Sequence, residues 1–372
     1  MNILFVVHET TRTGSPKVLL LFLRWLTQHK PNLVFDILAL NGGEIEEEFR
    51  IIAANYYNFK ELTRAKPKKF VERQLIRFKL MPRSNPKEEL LNVLAKNNYD
   101  VIYANSAPSL PMASEVKNLI SGAKLIFHVH ELEIVLKHHL ENKRNLFHDV
   151  NRFIAVSEMV KTNIIENWGV NQKSIDLVYE FSEIQIPTEP HKESEEFIVG
   201  GAGTVELRKG ADLFIRVAKE VFEKRPDANI KFLWLGKHVD SKLILHDSEL
   251  FNLSERVSFL GEHDNVSDIF QNFDMLLLTS REDPFPLVCI EVGMMGKPIV
   301  SFDKATGTNE ILKNAGGFIV PYGDVDEMAE KVISYYLDKK LKNDHGQLNK
   351  EIFSAFTPEK MCPSIMHIIE SQ

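Results

Sequence analysis

The segment Arg281-Glu282-Asp283-Pro284-Phe285-Pro286-Leu287-Val288-Cys289-Ile290-Glu291 carries two carboxylates, Asp283 and Glu291, eight positions apart. It follows the apolar run Met275–Leu278, which reads as a strand. A loop at that place lies beyond a strand C-terminus, where open α/β sheets bind ligands. A helix is expected to start near Pro286, because proline at the first helical position loses no hydrogen bond and has its φ preset. The N–H groups of Leu287 and Val288 would then face outward at the positive end of the helix dipole, a ready anion site. Glu291 lies one turn after Leu287, among the apolar neighbours Ile290, Val292, Met294 and Met295. A carboxylate on such a buried helix costs several kcal/mol unless it is paired. A ribose diol would supply two hydroxyl donors; a nearby Lys or Arg would satisfy it as well.

Other residues carry chemistry with a plainer alternative beside it. Arg208-Lys209-Gly210 precedes an expected helix over Ala211–Lys224. A cation at a helix N-terminus is slightly unfavourable, so Lys209 is either a solvated lysine or a point charge placed for a phosphate. His130 ends the apolar strand Lys124–His130, as a ligand contact or as a satisfied core histidine. Gly14, in Arg12-Thr13-Gly14-Ser15, either opens a loop to a close ligand approach or is a turn glycine. Gly201-Ala202-Gly203 follows a strand but lacks the third glycine of a dinucleotide fingerprint. Cys289 is expected to pack in the core, since no histidine partner stands beside it. Cys289 and Cys362 are the two cysteines, too few for a disulfide framework and suited to a reducing cytosol. No CxxC or HExxH pattern is present, so no metal is expected.

The elements that must hold these residues alternate between strand and helix. The chain of 372 residues, 44% hydrophobic and 26% charged, suits two domains of about 150–190 residues each. No apolar run approaches the ~20 residues of a membrane span, and the short apolar start Met1–His8 reads as a strand and not as a signal peptide. In the first half, strands are expected at Ile3–His8, Val34–Leu40, Val101–Asn105, Lys124–His130, Phe153–Ser157 and Ile175–Tyr179. Helices are expected at Pro16–Gln28, Glu44–Tyr56, Lys87–Lys96 and Glu158–Trp168. The stretch Ser182–Glu196, rich in Pro, Glu and Ser, breaks the alternation. Strands then follow at Phe197–Ala202, Ile230–Leu235, Val257–Leu260, Met275–Leu278, Pro298–Phe302 and Phe318–Val320, with helices at Ala211–Lys224, Val266–Gln271, Leu287–Met295 and Val325–Leu337. Such alternation argues for βαβ units and a parallel sheet in each half. Residues 1–185 are expected to form an N-terminal domain, 186–196 a linker, 197–355 a C-terminal domain, and 356–372 a last helix.

Charge is unevenly spread. Residues 1–185 hold 24 Lys and Arg against 21 Asp and Glu, and the remainder 21 against 31. Lys60–Lys87 alone has ten basic residues and two acidic ones, interleaved with Phe70, Leu75, Ile76, Phe78, Leu80 and Met81. A basic amphipathic helix there reads as a membrane-surface element, against a solvated charged face or a basic lip for an anionic acceptor. Nucleic acid is not an expected partner, since the chain is acidic overall, net −7, and carries no nucleic-acid-binding motif.

Leu276–Glu310 resembles the donor-site signature of glycosyltransferase family 4, which has two carboxylates eight positions apart around Gly-Phe-Gly-Leu, a Gly-Lys-Pro turn and a Gly-x-x-Glu loop. Here these are Asp283 and Glu291, Gly296-Lys297-Pro298, and Gly307-Thr308-Asn309-Glu310. Arg208-Lys209-Gly210-Ala211-Asp212 resembles the family's Lys-Gly-x-Asp helix start, Ala155-Val156-Ser157-Glu158 its Ala-Val-Ser-Glu strand end, and Gly316–Pro321 a late strand. The blocks run in the family's order over most of the chain. The resemblance implies a GT-B fold: α/β, with two Rossmann-like, doubly wound parallel-sheet domains facing across a cleft, and the last helix crossing back onto the N-terminal domain. It implies that Glu291 binds the ribose hydroxyls, that Asp283 holds the transferred sugar, and that Lys209 with Arg208 neutralises the diphosphate. His130 would face the donor sugar and Gly14 the phosphates. Phe285, Leu287 and Val288 would line the donor loop.

The sequence departs from the family pattern at several places. Asp283 is one methylene shorter than the usual glutamate, and Pro284 and Pro286 replace glycines and remove two N–H donors. Gly203-Thr204 stands where an arginine is usual, leaving Thr204 as the donor contact and Arg208 as the substitute cation. Val178-Tyr179-Glu180-Phe181 lacks the usual Asn-Gly.

The expected function is therefore a retaining, metal-independent, hexosyltransferase-type glycosyltransferase with no cofactor. It would use a nucleotide-diphosphate sugar as donor and a glycan or lipid-linked acceptor in surface polysaccharide or glycoconjugate synthesis. It would act in the cytoplasm, with the inner face of an anionic membrane as a candidate docking surface for residues 60–87. The alternatives are a nucleotide-sugar epimerase or hydrolase of the same fold, and a non-catalytic nucleotide- or glycan-binding protein. A Rossmann oxidoreductase is more distant, because the acidic residue about 20 positions past its glycine loop would be Glu223, inside a helical run.

Overall fold

The computed structural model describes residues 1–64, 85–185, 195–239, 241–313 and 316–372. Most of the expected linker (186–194) and most of the basic segment (65–84) lie outside the described residues.

The chain divides into two compact units. The first comprises Met1–Ala155, Asn163–Val178 and Cys362–Gln372; the second comprises Val156–Thr162 and Tyr179–Met361. Residues 179–185 join the second unit for a visible reason. Tyr179 packs on Phe285 and Phe356, with ring centroids 5.2 and 5.7 Å away. Ser182 donates its hydroxyl to Glu291 at 2.7 Å and its N–H to Phe356 O at 3.1 Å.

The first unit is built on a seven-stranded parallel sheet. Its strands are β1 (Asn2–Val7), β2 (Val34–Ala39), β3 (Tyr56–Asn58), β4 (Val101–Asn105), β5 (Lys124–Val129), β6 (Arg152–Ala155) and β7 (Ile175–Leu177), in the order β3-β2-β1-β4-β5-β6-β7. β1 is buried from Ile3 to Val7 because β2 and β4 flank it in register, Val6 opposite both Leu38 and Ala104. Strands covered on both faces need such continuous apolar sequence. β3 corrects the expected helix over Glu44–Tyr56. The helix there is only Glu46–Ile52, and the chain then pairs with β2 through Tyr56, Tyr57 and Asn58. In the C-terminal helix Pro358–Glu370, Cys362, Ile365, Met366, Ile368 and Ile369 are buried, and Glu370 pairs with Lys30 at 2.8 Å within this unit.

The second unit holds six parallel strands. They are β8 (Phe197–Ala202), β9 (Ile230–Leu235), β10 (Val257–Phe259), β11 (Met275–Leu278), β12 (Ile299–Phe302) and β13 (Gly317–Val320), in the order β10-β9-β8-β11-β12-β13. One face packs on the helices Ala211–Lys224 and Val325–Leu337 through Phe214, Ile215, Ala218, Met328 and Val332. Both sheets reverse strand order once, between β1 and β4 and between β8 and β11. In open α/β sheets that reversal opens a crevice at the strand C-termini, and the chemistry-bearing loops leave the sheets there.

Helices Leu110–Leu119, Glu133–Leu140, Lys242–Leu250 and Lys339–Phe353 add to those the sequence pattern marks. Among the described residues, no helix is long and apolar enough to cross a membrane.

Candidate functional site

In the second unit two loops meet at the switch point, one after β8 and one after β11. The β8 loop passes through Gly203 at φ +134, where a Cβ would press on the Lys209 side chain at 3.3 Å. It ends at Gly210 (φ +74), the N-cap of the helix Ala211–Lys224. A Cβ on Gly210 would stand 1.9 Å from Thr279 O, so the two loops approach closely only because this residue is glycine.

Side chains then lock the loops together. Arg281 donates to both carboxylate oxygens of Asp212 at 2.8 and 2.7 Å and also reaches Leu207 O. Its N–H donates to Arg208 O at 2.8 Å, and Thr279 Oγ1 donates to Gly210 O at 2.8 Å. Arg208 donates to Glu282 O at 3.2 Å and to Glu206 at 2.8 Å. Lys209 Nζ donates to Asp283 Oδ2 at 2.7 Å, and Ser280 Oγ donates to the same oxygen at 3.1 Å. The Asp283 side chain is 5% exposed and that of Lys209 18%. Neither expected cation is therefore a free lysine or arginine on a surface: each is held by a carboxylate of its own or the neighbouring loop. The Asp283 backbone is fixed as well, by a parallel bridge to Thr306 and an N–H bond to Ala305 O at 2.8 Å.

Asp283 leads directly into the helix Leu287–Met294. Pro286 is its N-cap and not its first residue; the first bond of the turn runs from Cys289 N–H to Pro286 O at 3.0 Å. The half-buried Leu287 and Val288 thus supply N–H groups that precede the helical ladder. Glu291 is 4% exposed, and the hydroxyl of Ser182 satisfies one of its oxygens. Phe285 is 3% exposed. Its ring packs in a cluster with Tyr179 and Phe356. Thr204 is half-buried between Gly203 and Val205, the latter bridged to His238. Cys289 is wholly buried and its thiol is pushed well up, first by desolvation and then by Asp283, so it is no nucleophile. Glu310 accepts N–H bonds from Glu158 and Met159 at 3.0 and 2.8 Å, and the hydroxyl of Tyr179 at 3.1 Å. Gly236 and Gly261 are joined by an N–H bond of 2.9 Å.

The first unit places a different set at its own switch point. His130 follows β5 and is 9% exposed. Its Nε2 lies 3.0 Å from Asn105 Oδ1, and its ring centroid 4.0 Å from that of His128. Asn105 Nδ2 in turn donates to Ser15 O at 3.0 Å. His128 Nδ1 lies 2.6 Å from the hydroxyl of Tyr103, and burial with the neighbouring His130 holds its pKa well below the usual imidazole value. Ser106 has φ +80 and ψ 158. For a residue with a side chain this costs of order 1–3 kcal/mol, and such strain gathers at functional sites. Ser106 Oγ lies 2.7 Å from His8 Nδ1. Glu131 is buried, and one of its oxygens accepts the N–H of Ala107 and of His130, both at 3.1 Å. Desolvation raises its pKa against the pull of His130 and the Ala107 N–H. Gly14 begins the helix Gly14–His29; a Cβ there would meet nothing within 4 Å, so packing does not require glycine. His8, Asn105, Ser106 and Glu131 are not singled out by the sequence; the available signal is a polar residue closing an otherwise apolar strand.

A hollow of about 410 Å³ lies at the opposite end of this sheet, lined by Met1, Tyr99, Asp100, Lys124 and Glu370. It sits at the strand N-termini, away from these loops. Among the described residues, no three His, Cys, Asp or Glu side chains gather so as to hold a metal ion.

Two family descriptions cover the chain: Glycosyltransferase Family 4 over residues 36–181 and Glycosyl transferases group 1 over residues 183–351. The chain is 26% identical over 171 residues to N-acetyl-alpha-D-glucosaminyl L-malate synthase of Bacillus anthracis, covering 45% of this chain and 44% of that protein. It is 24% identical over 225 residues to poly(ribitol-phosphate) alpha-N-acetylglucosaminyltransferase of Staphylococcus aureus, covering 60% of this chain and 44% of that protein. The matches thus span under half the length of these curated relatives. The Anabaena protein Alr3699/HepE, solved in complex with UDP and glucose, shares the fold with a TM-score of 0.80, 19% identity and full coverage of both chains. With two doubly wound parallel sheets, this GT-B likeness and family matches that together run from residue 36 to 351, the chain belongs to the group 1 glycosyltransferases.

Proposed function

We propose that this protein is a retaining hexosyltransferase that moves a sugar from a nucleotide-diphosphate sugar to a glycan or lipid-linked acceptor, with Glu291, Asp283, Lys209 and Arg208 serving the donor. The observation that carries this reading is the Lys209–Asp283 pair at the β8/β11 switch point, leading into the N-terminus of the helix Leu287–Met294. Lys209 has three N–H bonds and spends one on Asp283, so the others can meet diphosphate oxygens. When the bond from the sugar C1 to the diphosphate oxygen breaks, negative charge builds on the leaving group. Fixed positive charge and the N–H groups of Leu287 and Val288 then lower the barrier. The acceptor oxygen bonds C1 on the same face and its proton passes to the leaving phosphate oxygen, so no protein base is required. Pro284 and Pro286 offer no N–H to the sugar, which shifts sugar recognition onto the Asp283 carboxylate. His130 is proposed to meet a substrate hydroxyl, and Gly14 to admit phosphate oxygens to the start of its helix.

The relatives named for N-acetylglucosaminyl transfer, and the UDP bound by the Anabaena protein, make UDP-sugars the first donors to try. Thermal stabilisation is measured with UDP-, GDP-, ADP-, CMP- and dTDP-compounds, with NAD as control, in the presence of EDTA. A shift with one nucleotide diphosphate is expected. A shift with NAD alone, or none, would remove the reading. Glu291→Gln is expected to weaken donor binding by about 10–100-fold, the worth of a hydrogen bond to a charged group, with the fold intact. Donor consumption without any acceptor would favour the epimerase or hydrolase.

Residues 60–87 are proposed to dock on anionic lipid at the cytoplasmic face. Wild type should co-sediment with anionic vesicles, and reversing charges between Lys66 and Lys79 should abolish this. No binding by wild type removes the membrane part alone.

A further inference from the structure

β4 ends at Asn105, and Ser106 makes the turn from the strand into the helical segment that runs from Ala107 to Leu119. The turn, with φ +80 at Ser106, is held from several sides. The Ser106 N–H donates to His128 O at 3.0 Å, and its carbonyl accepts Ser109 Oγ at 2.7 Å. Its own Oγ lies 2.7 Å from His8 Nδ1. The other ring nitrogen of His8, Nε2, lies 3.3 Å from Glu9 Oε1. A carboxylate accepts only, so Nε2 carries the hydrogen. In the neutral ring the lone pair is then on Nδ1, and the Ser106 hydroxyl donates to it. Glu9 is fixed in turn by the hydroxyls of Thr11 and Thr13, at 2.8 and 3.4 Å from the same oxygen. A hydroxyl bonded to a base that a third group orients is the arrangement of an activated nucleophile. It is recognised by geometry and roles, whatever the order in the chain. A strained serine between strand and helix is one place where such a hydroxyl is presented.

We propose that Ser106, His8 and Glu9 form a nucleophilic site that takes the acyl group of small activated esters, a second activity that does not rest on the glycosyl transfer proposed above. Ser106 Oγ bonds the ester carbonyl carbon and its proton passes to His8 Nδ1. The bond from that carbon to the leaving oxygen breaks, and the leaving oxygen takes the proton from His8. Water then attacks the acyl-serine, giving its proton to His8 Nδ1 and on to Ser106 Oγ, and a carboxylic acid departs. Glu9 is a positioning residue that keeps Nδ1 bare. Ser106 is buried, and the site meets solvent at the side chains of His8 and Glu9, 21% and 32% exposed, which restricts it to small acyl groups. The N–H of Ala107, the residue after the serine, is taken by Glu131 at 3.1 Å. Lack of one oxyanion donor costs about 10²–10³ in rate. Turnover is therefore slow. With a nitrophenyl ester, whose leaving group is far better than a serine alkoxide, the acyl-serine accumulates.

The full chain, incubated with p-nitrophenyl acetate at pH 8, tests this. A burst of about one nitrophenol per chain is expected, with peptide mass spectrometry finding the acetyl group on Ser106. Ser106→Ala should lose both. His8→Gln has no imidazole to take the proton and should slow the burst about 10²–10⁴-fold. Glu9→Gln can turn an N–H toward Nε2, which lets the ring hydrogen move to Nδ1, and should slow it by about 10-fold or more. No acetyl group on Ser106, with lysines or other serines modified instead, overturns the proposal. So does a burst that Ser106→Ala keeps or that His8→Gln leaves unchanged. If the variants fail to fold, the site of acetylation in wild type still decides. A chain that turns over no nucleotide sugar yet acetylates at Ser106 would sink the proposed function and leave this one standing.

Discussion

At the switch point of the second unit the loops are joined by ion pairs, Lys209 with Asp283 and Arg281 with Asp212; at that of the first unit they are joined by hydrogen bonds among His8, Ser106, Asn105 and His130. The sheets behind them share strand order, reversal point and a helix after the first strand. The difference therefore lies in what each loop pair can meet. Ion-paired cations half-buried at a helix N-terminus suit a charged leaving group. A set of hydrogen-bonding side chains, largely buried and held on strained backbone, suits hydroxyls whose bonds must point in fixed directions. One topology carries both because site chemistry sits in the loops and the scaffold only aims them.

The comparison breaks most readily at Asp283. Asp283→Ala leaves the Lys209 ammonium in a largely buried place without its carboxylate, and loss of one partner of a buried pair costs about 3–5 kcal/mol. Urea unfolding should register that loss, with donor turnover falling sharply. Unchanged stability would mean the pair does not hold the loops.

Strain at Ser106 gives the next largest effect. Ser106→Ala keeps the φ of +80 and removes the bond to His8; Ser106→Gly removes the same bond and relieves the backbone. The glycine variant should be the more stable of the two by about 1–2 kcal/mol. Equal stabilities would show that the first unit stores no strain at this turn.

Arg281→Lys tests whether the second switch point needs the guanidinium fork. Lysine cannot reproduce the two parallel bonds to Asp212. The Arg281 side chain is 32% exposed, so screening limits the cost to about 1 kcal/mol. A melting curve that matches wild type would assign the locking of the loops to the remaining contacts, Lys209 with Asp283, Arg208 with Glu282 O and Thr279 with Gly210 O.

The last test is one of pH, at Glu9, whose carboxyl is held down to about 2 from 4.5, chiefly by its bond with His8. Because the folded value is the lower one, this group's stabilisation is fully present above pH 4.5 and is lost as pH falls through 2. Carbon chemical shifts of labelled Glu9 should titrate near pH 2. His8→Gln should move that midpoint back toward 4.5, and a midpoint already near 4.5 in wild type would remove His8–Glu9 from the account.

Much of this architecture is written locally. Phe197–Ala202, Ile230–Leu235 and Met275–Leu278 are strands at those bounds, and Ala211–Lys224, Glu158–Trp168 and Val325–Leu337 are helices at theirs, because apolar runs and amphipathic spacing state burial residue by residue. The spacing of Asp283 and Glu291, the Lys209-Gly210 helix start and the family's order of motifs are likewise legible without a fold. The short edge strand Tyr56–Asn58 is not, since Tyr-Tyr-Asn becomes a strand only by pairing with β2. Nor could sequence show that Asp283 takes Lys209 for a partner 74 residues away, that Phe285 turns into an aromatic cluster, or that Asn105 meets His130. Those contacts depend on which strand exits lie side by side. Strand order fixes that, and strand order is set by packing the whole sheet and not by any one segment of chain.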